Sequence, residues 1–335
     1  MISEVVERVA RRAIIDRDER RPDPHWGDFV LIEGLLDVYE ACGDASYLDA
    51  IRAMVDEYVD RGLGWGRIAW QWAGMGFPAI RLGTITGSQR YSEFGLAVAA
   101  RLRNETERTS DGGITPQFGP PQPPQLWIDL LHFACPTFAE AATLTDDASY
   151  FDAATEQFRI FNEHLIDEAT GLHYHVWYED SGEPTAELWS RGMAWLTIAA
   201  VEMLARLPEG HPDRQHISDV LNRQLDAIYG LQDASGLWHT VIDRPDSYLE
   251  TSTAAIFGLP VVRGIRLGVL DRRHLGAAVH GWRALQDRVS HDGFVFGVST
   301  GTPPGDFDNY QGIARGVETY GTGLFLQLGV EMSRL

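Results

Sequence analysis

Asp129 is the one acid in the apolar run Leu126-Trp127-Ile128-Asp129-Leu130-Leu131-His132-Phe133-Ala134. It follows a Pro-rich stretch, Pro120 to Pro124, near the expected start of a helix. A carboxyl in that position is either a partner for the helix N-terminus or an acid held among apolar groups for proton transfer. His132, three residues on, shares its helix face. A second constellation is Trp189-Ser190-Arg191-Gly192-Met193-Ala194-Trp195, which puts Arg191 and Trp195 one turn apart. A guanidinium beside an indole is a natural clamp for a planar carboxylate on a ring. Its plainer reading is a surface arginine stacked on a tryptophan.

Aromatic and imidazole side chains crowd a few segments: Trp65, Trp70, Trp72, Trp127, His173, Tyr174, His175, Trp177, Trp189, Trp238 and His239. Aromatic faces pack on the apolar face of a sugar ring while polar edges take its hydroxyls. Any one of them could be a core filler. Together they point to a carbohydrate cleft.

These residues lie between helices that pair as hairpins. Leu31, Leu35, Val38 and Cys42 mark one helix face, Gly43-Asp44 breaks it, and Tyr47, Ile51, Met54 and Tyr58 mark the next. The unit recurs at Phe77 to Leu102, Phe133 to Leu165, Trp195 to Ile228 and Ala254 to Val289. A last helix, Gly321 to Met332, pairs with the N-terminal segment, giving about six hairpins. Six hairpins close into a ring, an all-α (α/α)6 barrel, over residues 1–335 as one domain; an open solenoid is the alternative. The longer connections 62–76, 109–125, 171–190, 231–250 and 291–316 then gather at one end, where loops carry function on a rigid scaffold.

The composition limits the partners. Among 335 residues, 48 acids face 28 basic residues, a formal net charge of -20, and no lysine occurs. Such a surface repels itself in dilute buffer and is screened in molar salt. The expectation is a salt-adapted, haloarchaeal protein. Nucleic acid is excluded for want of a basic patch, and no apolar run approaches the ~20 residues of a membrane span. The N-terminus has no signal-like apolar core, which implies a cytoplasmic protein. Cys42 and Cys135 read as small buried thiols without metal-ligand spacing.

The chain resembles the unsaturated uronyl hydrolases of glycoside hydrolase families 88 and 105 over nearly its whole length. The matching segments are Gly43-Asp44 with Tyr47, Arg108 to Gly113, Trp127-Ile128-Asp129, Gly171 to His175, Trp189 to Trp195, Gly236-Leu237-Trp238, Tyr248 to Ser252 and Tyr320 to Leu326. The resemblance implies an (α/α)6 barrel, no metal or organic cofactor, and a small oligosaccharide carrying a 4,5-unsaturated uronic acid as substrate. Asp129 falls on the family's general acid/base. In the implied reaction a neutral Asp129, its pKa raised by burial against Trp127 and Phe133, protonates C4 of the C4=C5 enol ether, and water adds at C5. Arg191 would hold the C5 carboxylate. His175, Trp195, Trp189, His132, Trp72, Gln71, Trp238 and His239 would complete the substrate site.

The sequence departs from the family pattern in three places. Gln71 stands nearest to the usual second acid, His132 replaces a tyrosine-like residue, and Met193 replaces a polar one. Two alternatives therefore stay open: an inverting hydrolase or epimerase for saturated sugars, or an inactive sugar-binding homologue. The chain is expected as a monomer or homo-oligomer.

Overall fold

The computed structural model describes residues 2–20, 25–63, 72–116 and 122–335. Among these it has thirteen α-helices. Six form an inner ring: α2 (Trp26–Cys42), α4 (Gly76–Thr86), α6 (Leu130–Thr145), α8 (Ser190–Arg206), α10 (Thr251–Arg266) and α13 (Thr319–Met332). Six form an outer layer: α1 (Glu4–Arg20), α3 (Ala45–Arg61), α5 (Gln89–Asn104), α7 (Ser149–Leu165), α9 (Arg214–Gly230) and α11 (Leu275–Gln286). The thirteenth, α12 (Phe307–Gly312), is a short helix in the last connection.

Polarity sorts the layers. The inner helices are apolar on most faces and are buried almost throughout, as α8 is from Ser190 to Leu204. The outer helices carry one apolar stripe. In α7, Tyr150, Ala154, Phe158, Phe161 and Leu165 turn inward at helical spacing. Each inner helix packs on the next, and α13 packs on both α10 and α2, so the ring closes as an (α/α)6 toroid. The closing seam is tight. A Cβ at Gly323 would lie 2.2 Å from the Val30 carbonyl oxygen, and one at Gly34 would lie 2.6 Å from that of Gly323. Only glycine permits that approach.

The connections at one end, expected as loops, contain short antiparallel strand pairs. β1 (Gln125–Trp127), β2 (Val176–Tyr178) and β3 (Glu183–Pro184) make one sheet. β4 (Trp238–His239) pairs with β5 (Leu249–Glu250), and β6 (Val298–Ser299) with β7 (Arg315–Gly316). These pairings satisfy backbone groups in segments that must fold back over the barrel mouth. They lead directly into the N-termini of inner helices.

The opposite end is sealed by charge. Arg263 on α10 bonds Glu202 of α8 (2.6 Å) and Glu331 of α13 (3.0 Å), and also Asp37 of α2. Arg81 of α4 bonds Asp37 at 2.8 Å, and Arg206 of α8 bonds Glu140 of α6. Every inner helix thus contributes to one ion-pair network. Cys135 is buried, and burial pushes its thiol well up. Cys42 is exposed, contrary to expectation, because it ends α2 at the rim of the fold.

Candidate active site

The strand pairs dictate the site. β1 and β2 run antiparallel with Trp127 opposite Val176, and the Ile128 N–H continues the ladder to the His175 carbonyl at 3.1 Å. This register sets His175 beside Asp129, the residue at which α6 begins. Asp129 makes no side-chain capping bond, so its carboxyl is not used by the helix start. It is 9% exposed, and its Oδ2 lies 3.5 Å from His175 Nε2. That separation is ion-pair reach rather than a well-formed hydrogen bond.

A cleft of about 260 Å³ opens above this pair, lined by Trp26, Trp127, Asp129, His175, Trp189, Arg191, Gly301, Thr302 and Pro303. Its volume falls just under the roughly 300–1,000 Å³ of drug-sized ligand sites, which suits one sugar ring. Trp189, at the N-cap of α8, lays its ring 4.2 Å from that of His175. Trp127 meets the same imidazole edge-on at 5.3 Å.

Arg191 forms the opposite wall. Its guanidinium carbon lies 4.7 Å from the centre of the Trp189 ring and 4.9 Å from that of Tyr320, and Tyr320 stacks on Trp26 at 4.4 Å. Cation and aromatic faces thus alternate along one wall. The guanidinium fork is already engaged: Nη1 donates to the Ser299 carbonyl (2.9 Å) and hydroxyl, and Nη2 to the Thr300 carbonyl (3.0 Å) and Thr302 hydroxyl (2.9 Å). Glu250, fully buried at the N-cap of α10, stands 3.9 Å behind it. Arg191 therefore straps the 299–302 segment that lines the cleft. Three buried polar atoms around this space find no hydrogen-bond partner among the described residues: Asp129 Oδ2, Trp189 Nε1 and Arg191 Nε.

Of the residues expected at the site, Asp129, His175, Trp189 and Arg191 meet in the cleft. His132 and Trp195 do not line it. They stack on each other at 4.9 Å inside the barrel, where His132 Nε2 lies 3.5 Å from the buried Glu33 carboxylate. The helical spacing that brought them near Asp129 and Arg191 also carried them one turn deeper. Trp72 is buried beneath the Arg101 guanidinium, 4.2 Å from the ring centre. Trp238 is buried in the core: its Nε1 donates to the Ile228 carbonyl at 2.7 Å and its ring packs on Phe257. Neighbouring His239 is held by the Ser247 carbonyl at 2.5 Å, away from the cleft lining. Gln71 lies outside the described residues. His173 is a buried strut held by Asn162; burial, helped by Arg223, lowers its pKa to about 3 and keeps it neutral.

Sequence reasoning missed Trp26, the Gly301–Pro303 segment, Glu33 and Tyr310. Tyr310 sits on α12 with its hydroxyl 2.9 Å from His175 Nδ1. It is 135 residues from its partner, so no local pattern joins them. Among the described residues no group of three or more His, Cys, Asp or Glu side chains could hold a metal ion, and no helix is long and apolar enough to cross a membrane.

The comparisons with known proteins agree with this fold. An unsaturated rhamnogalacturonyl hydrolase, YesR of Bacillus subtilis, is 28% identical over 281 residues, covering 83% of this chain and 79% of its own. A solved structure described as a possible member of the GH105 family, from Salmonella enterica, superposes with a TM-score of 0.84 at 29% identity, over 92% of this chain and 83% of the other. A similar one from Klebsiella pneumoniae gives 0.89 at 25% identity over 100% and 94%. An unsaturated glucuronyl hydrolase from Bacillus sp. GL1 shares the fold, with a TM-score of 0.74 at 20% identity over 93% and 87% of the two chains. Glycosyl Hydrolase Family 88 matches residues 2–335, and the chain belongs to that family.

Proposed function

We propose that this glycoside hydrolase removes a 4,5-unsaturated uronic acid from the non-reducing end of oligosaccharides produced by polysaccharide lyases. One observation carries the reading: among the described residues, the cleft lining offers a single carboxyl group, Asp129. Displacement at a saturated glycosidic carbon requires two carboxyl groups, roughly 5–5.5 Å apart for retention or 6.5–9.5 Å for inversion. Outside the described residues, segments 64–71 and 117–121 contain no acidic residue and segment 21–24 contains one, Asp23. Hydration of an enol ether requires only one acid, which is later free to act as a base.

The steps follow from that acid. Asp129 gives its proton to C4, and positive charge spreads over C5 and the ring oxygen. Water adds at C5 as the Asp129 carboxylate takes its proton, which restores the acid. The resulting hemiketal opens, leaving C1 as a hemiacetal that releases the linked sugar. The net change is addition of one water and formation of a keto-deoxy uronic acid and a free sugar. Trp127, Trp189 and Trp26 supply apolar faces for the ring, and the Arg191 wall supplies positive charge for the substrate carboxylate. Arg191 Nε is the guanidinium N–H that has no hydrogen-bond partner among the described residues. The cleft accepts one ring, so attack at the chain end is favoured over attack within a chain.

The relative named an unsaturated rhamnogalacturonyl hydrolase matches most of the chain, which makes unsaturated rhamnogalacturonan fragments the first substrates to test. The conjugated enol ether absorbs in the ultraviolet and hydration destroys that absorbance. Loss of absorbance with release of reducing sugar supports the reading. Release of sugar from saturated uronides, with unsaturated ones untouched, would transfer the enzyme to the inverting class.

A further inference from the structure

We infer that Tyr310 is a positioning residue for proton transfer: its hydroxyl fixes His175 as the tautomer that presents Nε2–H to Asp129 Oδ2, so that the transferable proton of Asp129 resides on Oδ1. The inference deepens the proposed function and rests on it for its catalytic consequence.

The hydroxyl of Tyr310 has one proton, and among the described residues its hydrogen-bond partner is His175 Nδ1, 2.9 Å away. Tyr310 is fully buried, so a proton turned elsewhere would be left without an acceptor. The phenolic proton is therefore directed to Nδ1, which accepts it with its lone pair. A neutral imidazole so engaged carries its own proton on Nε2, the nitrogen 3.5 Å from Asp129. Burial pushes the Tyr310 phenol well above its ordinary range, so the proton stays in place.

Tyr310 is held firmly enough for this task. It is fully buried and packs with Trp189, Val241 and Phe307 in a small cluster apart from the main core. Asp306 caps α12 through the Asn309 N–H, and Asn309 in turn bonds the Pro303 carbonyl at 2.9 Å. The Thr300 N–H ties the same connection to the Ala314 carbonyl at 2.8 Å.

The tautomer divides the labour on Asp129. An Nε2–H cannot take the acid's proton, but it can support the carboxylate after that proton has gone to C4. The charged and titratable groups around the pair come from several elements. They are Arg191 on α8 with Glu250 of β5 behind it, Tyr178 on β2, Glu187 before α8, and His132 with Glu33 one turn below. Tyr310 is the one that contacts His175 Nδ1.

Tyr310→Phe keeps the ring and removes the hydroxyl. With the tautomer released, kcat falls by about tenfold or more while KM changes little, as expected when an orienting partner of a catalytic histidine is lost. In wild-type protein with ¹⁵N-labelled histidine, His175 shows a protonated Nε2 and an unprotonated Nδ1; the signal is assigned by its disappearance in His175→Gln. In Tyr310→Phe both nitrogens shift toward intermediate values. A proton on Nδ1 in the wild type, or unmoved nitrogen shifts with only a lower melting temperature in Tyr310→Phe, overturns the inference. If unsaturated uronides are not consumed by the wild type, the proposed function fails while the nitrogen shifts still decide the tautomer.

Discussion

Asp129 begins a helix without capping it, and this frees its carboxyl for chemistry. Asp129→Asn keeps the size of the side chain and removes the proton. Turnover should fall ~10²–10⁴-fold with the fold intact, since that is the usual contribution of a general acid. Initial rates and circular dichroism of the variant check this; a rate above a tenth of wild type with an unchanged pH profile would remove Asp129 from the role. Asp129 and Arg191 were legible in the sequence because each is a polar group in an apolar helical run. His175 was legible through the cluster around it. Tyr310 and Glu33 were not, because their partners come from other hairpins and are adjacent only in space. Helical spacing and the family resemblance both point Trp195 and His132 to the cleft. That spacing fixes a face and leaves depth undetermined.

At the scale of elements, the hairpins and the ring were readable from periodicity, while the starts of the inner helices were not. The pattern placed them at Leu31, Phe133, Trp195 and Ala254; they begin at Trp26, Leu130, Ser190 and Thr251. The first turns carry cleft and N-cap residues that interrupt the apolar repeat, so function masked structure there. The far-end network was also invisible, since Asp37, Glu202 and Glu331 lie in helices that read as apolar. Burial would raise the Glu202 pKa, but Arg263 and Arg206 outweigh it and hold it at about 2, below the ordinary 4.5. A carboxylate depressed in the fold contributes stability above its ordinary value and loses it as pH falls. The melting temperature should therefore hold down to about pH 4.5 and drop between there and about 2. Glu202→Gln should lower stability near neutrality by roughly 3–5 kcal/mol, the usual cost of breaking a buried pair, and flatten that acid slope. A slope unchanged in the variant would assign it to other carboxylates.

For the molecule as a whole, charge is the dominant feature. Five arginines (Arg81, Arg206, Arg263, Arg266, Arg334) and five acids (Asp37, Glu40, Glu140, Glu202, Glu331) cancel within the far-end network. The net charge of -20 is thus carried by the rest of the chain. Those carboxylates repel one another in dilute buffer and are screened as the Debye length shrinks from ~10 Å at 0.1 M to ~3 Å at 1 M salt, while buried pairs are screened less. Melting temperature and initial rate should both rise from roughly 0.1 to 3 M KCl as this screening proceeds. A melting temperature that is flat or falls across that range would contradict salt adaptation.

Proton delivery to C4 is read most directly by running the reaction on an unsaturated rhamnogalacturonan disaccharide in D₂O. Hydration through Asp129 predicts that ultraviolet absorbance falls in step with sugar release and that the product carries one deuterium at C4, seen by proton NMR. Release of sugar with the double bond intact and no deuterium at C4 would contradict it.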